Sequence, residues 1–242
     1  MLISKKGTSI LAEKIADTDE VFCSGLFLSA RWFIVSQIDR DGLQVIVLPD
    51  KDSAEYCASD LYNLIEGDKV FFMPASGKSL ERSNYKSSLG VQRTSAIGKI
   101  LENKGEQLFI VTYPAAIEEG IPSEEKIRQS ILKLSVGDES GRDDMVDILF
   151  NSGFERVDFV SEPGQFAVRG AILDIFSYSY SNPVRVSFFG DEIESLNMFD
   201  CNTQLSVQKV DNAEIYPDII VSDEDSMTTS IIAILTSDML LW

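Results

Sequence analysis

The hydrophobic period of the sequence changes near Gly120-Ile-Pro122, and this limits the possible folds more than any other feature. Before that point, short apolar runs alternate with segments of helical period. Leu43-Gln-Val-Ile-Val-Leu48 is apolar and β-branched, the composition of a strand covered on both faces. Asp52-Ser-Ala-Glu55 has capping-box spacing with aspartate in the first position. Behind it Ala54, Cys57, Ala58, Leu61, Leu64 and Ile65 recur at helical spacing, with Gly67 placed to end the helix. Val70-Phe-Phe-Met73 reads as the next strand, residues 89–101 as a helix, and Leu108-Phe-Ile-Val-Thr112 as a further strand. An earlier helix is expected over residues 27–38, after a strand near Val21. Alternation of this kind builds a parallel sheet with helices on both faces.

After residue 120 the strands follow one another with few helices. Ile131-Leu-Lys-Leu-Ser-Val136 reads as a strand, and residues 142–151 as a helix with Met145, Ile148 and Leu149 on one side and Gly153 at its end. Strands are expected over residues 166–176, 184–189 and 193–199, with turns at Ser181-Asn-Pro183 and Gly190-Asp191. The pattern implies an α+β domain on an antiparallel meander, at about residues 121–215. Residues 218–242 are acidic and then apolar, and Met239-Leu-Leu-Trp242 reads as a strand. A strand in that position suggests a piece of a longer protein; the alternative is a natural C-terminal strand. A length of 242 residues accommodates two domains, each large enough for its own core.

Charge and residue usage remove several function classes. The formal net charge is −18, a field that repels phosphate backbones, so little nucleic-acid binding is expected and a basic partner surface is favoured. Three cysteines, Cys23, Cys57 and Cys201, are far apart and form no CxxC, which argues against a disulfide framework or a zinc site and fits a reducing cytoplasm. Histidine is absent, which removes imidazole bases, Ser-His-Asp and Cys-His pairs, and histidine metal sites. No membrane span or leader segment is expected.

An α/β first half invites a nucleotide-binding reading, and two near misses bear on it. Gly77-Lys78-Ser79 is the tail of a phosphate-loop motif, but the earlier glycine position holds Phe72, and Pro74 removes an amide that the cradle would use. The better topological position, Gly25-Leu-Phe-Leu-Ser29-Ala30-Arg31, lacks the Gly-Lys-Ser/Thr step. Phe109-Ile-Val-Thr112 runs into Tyr113-Pro114 with no acidic pair to hold Mg²⁺. The acid pairs Asp143-Asp144 and Asp191-Glu192 read as solvated helix-start and turn residues.

The strongest functional signal lies in the second half. Between residues 157 and 208 there are seven acids and only two basic residues, Arg169 and Arg185. Strand alternation in Val184-Arg-Val-Ser-Phe-Phe189 puts Val184, Val186 and Phe188 on the core face and Arg185, Ser187 and Phe189 on the other. An arginine beside an exposed aromatic has the composition of an interface hot spot. The alternative is that Phe189 is covered by another part of the chain and Arg185 balances nearby acids. Gly170, following Arg169, reads as a mid-strand glycine marking a bulge or a close backbone approach, one that would re-aim Arg169 toward the same face.

Three segments in this half also carry a resemblance: Glu162-Pro-Gly-Gln-Phe-Ala-Val-Arg-Gly-Ala-Ile-Leu-Asp-Ile-Phe176, Pro183-Val-Arg-Val-Ser-Phe-Phe-Gly-Asp-Glu-Ile-Glu-Ser-Leu196 and Phe199-Asp-Cys-Asn-Thr-Gln204. They are similar to the UvrA-binding domain shared by the UvrB subunit of the bacterial excision nuclease and the transcription-repair coupling factors. Val136-Gly-Asp and residues 149–160 fit the same domain. The match is close over about residues 121–215 and looser, by layout, over the first 120. UvrB would carry an intact phosphate loop, whereas the coupling factors carry a degenerate one, as this sequence does. The resemblance therefore implies the N-terminal, UvrB-homologous module of a coupling factor.

Its implied architecture is a RecA-like parallel-sheet domain without a functional P-loop over residues 1–120, a UvrA-binding α+β domain over 121–215, and the start of a returning segment over 216–242. The implied activity is recruitment of UvrA in transcription-coupled excision repair, with no catalysis and no cofactor in this chain. ATP, RNA polymerase and double-stranded DNA would belong to other parts of a translocase parent. By motif position, the implied UvrA contacts are Arg169, Arg185 and Phe189. The alternative is a UvrB-like nucleotide-binding repair subunit with an atypical phosphate loop.

Overall fold

The computed structural model describes residues 14, 24–38, 40–65, 69–76, 88–219, 228–234 and 240–241. The first half forms helix α1 (Ala30–Ser36), strand β1 (Leu43–Val47), α2 (Lys51–Leu64), β2 (Val70–Phe72), α3 (Ser88–Glu102), β3 (Leu108–Thr112) and the short α4 (Pro114–Glu118). Then come β4 (Ile121–Pro122), α5 (Glu124–Ser130), β5 (Leu132–Ser135), α6 (Arg142–Asn151), β6 (Glu155–Arg156), β7 (Gln165–Arg169), β8 (Ile172–Ile175), β9 (Val184–Phe189), β10 (Glu192–Phe199), β11 (Ser206–Val210), β12 (Asn212–Ile215) and β13 (Thr228–Thr229). A 3-10 turn (Ile231–Ile234) and β14 (Leu240–Leu241) complete the described chain.

The parallel sheet has the order β14-β1-β3-β2. Apolar residues point both ways from it, as expected of strands covered on both faces. Ile46, Phe109 and Val111 pack under α1 and α2 against Trp32, Cys57 and Leu61. Val45 and Ile110 pack on the other side against Ile97 and Ile100 of α3, and against Ile121, Ile127 and Ile231. β14 pairs parallel to β1, so the apolar end of the sequence supplies an edge strand to this sheet.

The antiparallel sheet has the order β11-β10-β9-β8-β7-β6, with only β6 and β7 parallel. Its inner face, Phe166, Leu173, Ile175, Val186, Phe188 and Leu196, buries against Met145 and Leu149 of α6. A second, smaller cluster of Val160, Ala167, Phe176 and Phe199 sits on the outer face. Two further pairs, β12 with β5 and β13 with β4, lie outside the two main sheets.

Several sequence expectations need correction. The run 166–176 is two strands, because Gly170 (φ 59) and Ala171 form a two-residue hairpin turn and not a bulge. A glycine first in such a loop matches the twist of the flanking strands. Gly190 (φ 64) plays the same part between β9 and β10, at the expected turn. The N-cap of α2 is Asp50, whose carboxylate accepts from the Ser53 amide at 2.8 Å, two residues before the expected Asp52. Ile148 faces solvent, while Met145 and Leu149 are buried. Val21, Gly67 and Gly77-Lys78-Ser79 lie outside the described residues. No helix among the described residues is long and apolar enough to cross a membrane.

At the C-terminal ends of β2 and β3 one buried guanidinium ties three segments together. Arg93 of α3 donates to the carbonyls of Pro74 at 3.0 Å, Ala116 at 2.9 Å and Glu119 at 2.8 Å. Burial pulls its pKa down, and the Glu119 carboxylate, 3.9 Å from Nε, opposes that shift. Glu119 in turn accepts from the Ser76 amide at 2.7 Å and from its hydroxyl. Arg93→Ala would strand three buried carbonyls and open a void, and should cost about 3 kcal/mol or more in urea unfolding. Arg93→Lys should recover only part of that, since an ammonium cannot span the same fork.

Cys57 lies at the heart of the first cluster, where desolvation, with Asp60 adding to it, pushes its thiol up to about 12. At pH 8 about one thiol in 10⁴ is then ionised, so labelling by a thiolate-specific reagent should wait for unfolding. The check is the labelling rate in a Cys23→Ser, Cys201→Ser background with and without denaturant; rapid native-state labelling would contradict it.

Candidate functional site

The outer face of the antiparallel sheet is set by register. Ala167, Asp174, Arg185 and Asn197 form one rung across β7, β8, β9 and β10. Arg169, Ile172, Ser187 and Ser195 form the next. Phe189 lies two residues further along β9, on the same face. All three residues singled out in the sequence therefore share a face, and Arg169 reaches it by simple strand alternation.

Asp174 holds the arginines together. Its carboxylate is 1% exposed and sits directly opposite Arg185 and diagonal to Arg169. Arg185 grips it with two parallel bonds, Nε to Oδ1 at 2.7 Å and Nη2 to Oδ2 at 3.0 Å. Arg169 Nη2 donates to Oδ2 as well. Two guanidiniums around one carboxylate leave a net charge of +1, and Lys209 of β11 lies opposite Asn197 on the same rung.

The end of β10 and the loop after it fix Arg185 from the other side. The Phe199 ring lies 4.1 Å from the guanidinium carbon, and Gln204 Oε1 accepts from Nη2 at 3.0 Å. Gln204 holds a left-handed backbone conformation (φ 60), unusual for a residue with a side chain. Asp200 supports it: its carboxylate accepts from the amides of Asn202 at 3.0 Å and Thr203 at 2.7 Å, and these bonds draw its pKa down. The motif Phe199-Asp-Cys-Asn-Thr-Gln204 is thus a bracket for Arg185.

Exposure divides the residues. Arg185 has a side chain only 19% exposed and Arg169 one 34% exposed. Phe189 is 77% exposed and stands at the hairpin tip, about 13 Å along the strand from Arg185 at the usual rise per residue. Phe159, 61% exposed, lies with its ring centre 5.0 Å from the Arg169 guanidinium. Of the two alternatives left by the sequence, Phe189 is open, while Arg185 does balance an acid, the buried Asp174. Asp174, Gln204 and Phe159 were not assigned from sequence. A lone acid on the outward positions of an apolar strand was the available signal for Asp174. The acid pairs Asp143-Asp144 and Asp191-Glu192 lie in the first turn of α6 and at the β9–β10 turn, as expected.

Comparison with known proteins adds a family to this geometry. Residues 132–219 match the family model described as the UvrB interaction domain. These residues form a UvrB interaction domain. Over most of its length the chain is also similar to transcription-repair-coupling factors. It is 30% identical over 211 residues to that of Bacillus subtilis, which covers 85% of this chain and 18% of the relative. It is 32% identical over 190 residues to that of Mycobacterium bovis, 76% of this chain and 15% of the relative. UvrABC system protein B of Streptococcus suis is 31% identical over 163 residues, 66% of this chain and 24% of the relative. The chain thus spans less than a fifth of the length of these two coupling factors. All the residues of the Asp174 cluster, and Phe159 and Phe189, fall inside the UvrB interaction domain.

The energetic roles separate by burial. Arg185→Ala leaves Asp174 buried with one partner and should cost about 2–3 kcal/mol of folding stability. Phe189→Ala, at an exposed tip, should change stability by no more than about 0.5 kcal/mol. Parallel denaturant titrations of the two variants check the contrast; equal effects would contradict the clamp.

Proposed function

We propose that this chain is a non-catalytic UvrA-docking module of a transcription-repair coupling factor, acting in transcription-coupled excision repair in the cytoplasm. The observation that carries the reading is the Arg169–Asp174–Arg185 cluster with Phe189 on one outer face of the UvrB interaction domain. Preorganised guanidiniums beside an exposed aromatic suit a protein ligand, since their side-chain ordering is already in place before binding. The net charge of −18 favours a partner with a basic surface over nucleic acid. The ATPase, polymerase-binding and DNA-binding activities of a translocase parent belong, on this reading, to other parts of that protein.

The same reading takes the first half as a RecA-like layout without phosphate-loop chemistry. Ligands of open α/β sheets bind beyond the C-terminal ends of the strands. At the ends of β2 and β3, Arg93 and Glu119 already occupy each other and the backbone of Pro74 and Ser76. This disfavours the nucleotide-binding alternative, which calorimetry with ATP and Mg²⁺ tests directly.

The decisive experiment is a titration of purified UvrA against the chain. Phe189→Ala and Arg169→Ala should each weaken binding about 10- to 30-fold with the fold intact, the loss expected of a hot-spot residue. A folded variant lacking both side chains that binds UvrA at wild-type strength would overturn the assignment.

A further inference from the structure

We infer that Phe159 is a further docking residue, and that Phe159 and Arg169 together receive a carboxylate from the partner's surface. The inference rests on the docking reading above and goes beyond it in naming the ligand chemistry and a fourth residue. Arg169 carries five N–H donors on three nitrogens. Among the described residues, its one hydrogen-bond acceptor is Asp174, reached through Nη2, and its Nε is buried without a hydrogen-bond partner. Arg185, in contrast, is engaged through two bonds to Asp174 and one to Gln204. Most of the cluster's spare donor capacity therefore lies on Arg169, the more exposed of the two guanidiniums.

Charge complementarity selects the occupant. A +1 centre with unused donors on Arg169 takes an aspartate or glutamate side chain. Phe159 supplies the platform. Its ring lies 5.0 Å from the guanidinium carbon and is otherwise open to solvent, so an incoming apolar surface would bury the ring and lower the local dielectric around the ion pair. The matching partner element is a carboxylate flanked by apolar side chains, on a protein surface that is basic overall.

The test measures UvrA affinity for Phe159→Leu and Phe159→Tyr, with thermal midpoints recorded for each. Leucine keeps an apolar side chain and loses the ring; tyrosine keeps the ring. The expected result is a loss of about 10-fold for Phe159→Leu, near-wild-type binding for Phe159→Tyr, and unchanged midpoints for both. Wild-type binding by Phe159→Leu, alongside weakened binding by Phe189→Ala, would remove Phe159 and leave the docking reading standing. Wild-type binding by Phe159→Leu and by the folded variant lacking the Phe189 and Arg169 side chains would remove the two together. A second measurement addresses the carboxylate: the dependence of affinity on NaCl should flatten in Arg169→Met, and an unchanged salt slope would overturn the ion-pair assignment.

Discussion

The outer face of the antiparallel sheet is organised by one buried carboxylate. Asp174 is held by two bonds from Arg185 and one from Arg169, at a point where water is almost excluded. A carboxylate in such a place is strongly unfavourable alone, and a single arginine would neutralise it. The second arginine makes the group cationic. The sheet thereby presents a fixed positive spot, and the guanidiniums that form it need little further ordering when a partner arrives. The fold positions this spot through strand register, which puts Asp174, Arg185 and Asn197 in one rung.

Support for the spot comes from two sides of the domain. The β7–β8 hairpin closes through Gly170, so Arg169 returns within two residues to the strand that carries Asp174. The end of β10 brings Phe199 under Arg185, and the loop after it brings Gln204 against it, with Gln204 in a conformation that the Asp200 turn maintains. The small outer cluster of Val160, Ala167, Phe176 and Phe199 anchors the base of both. Phe159 lies just before Val160, so the same packing that buries the valine holds the neighbouring phenylalanine at the surface beside Arg169.

Much of this was legible in the sequence, and the limits have physical reasons. Alternation in β9 separated Val184, Val186 and Phe188 from Arg185 and Phe189, because strand periodicity is strict and one face is wholly apolar. The parallel sheet could be read from the runs at β1, β2 and β3, since strands covered on both faces are continuously apolar. The hairpin at Gly170 was mistaken for a bulge, because a single glycine flanked by strand-forming residues is compatible with either, and only the pairing partner decides. Asp174 stands out in sequence as a lone outward acid, but its role as the centre of the site does not, for a related reason. Its role depends on what lies opposite it on β9 and diagonally on β7, and cross-strand register is not written in either strand alone. Ile148 was misplaced because α6 covers the sheet with a narrow stripe, Met145 and Leu149, and the third apolar position falls just beyond its edge.

The two halves of the chain treat charge in opposite ways, and this bears on their use. In the first half, Arg93 is consumed internally: three carbonyls accept from it, Glu119 pairs with it, and the side chain is buried away from any ligand at the ends of the strands. In the second half, Arg169 is consumed only in part. A fold that wanted stability alone could satisfy Asp174 with Arg185 and place an apolar residue at 169, where a stacked guanidinium leaves a buried donor without a partner. The buried Nε is a cost to the free domain, while the Nη1 and Nη2 hydrogens not given to Asp174 remain for an incoming acceptor. The imbalance of donors around Asp174 therefore points outward, toward a binding partner, more directly than the exposure of any single side chain does.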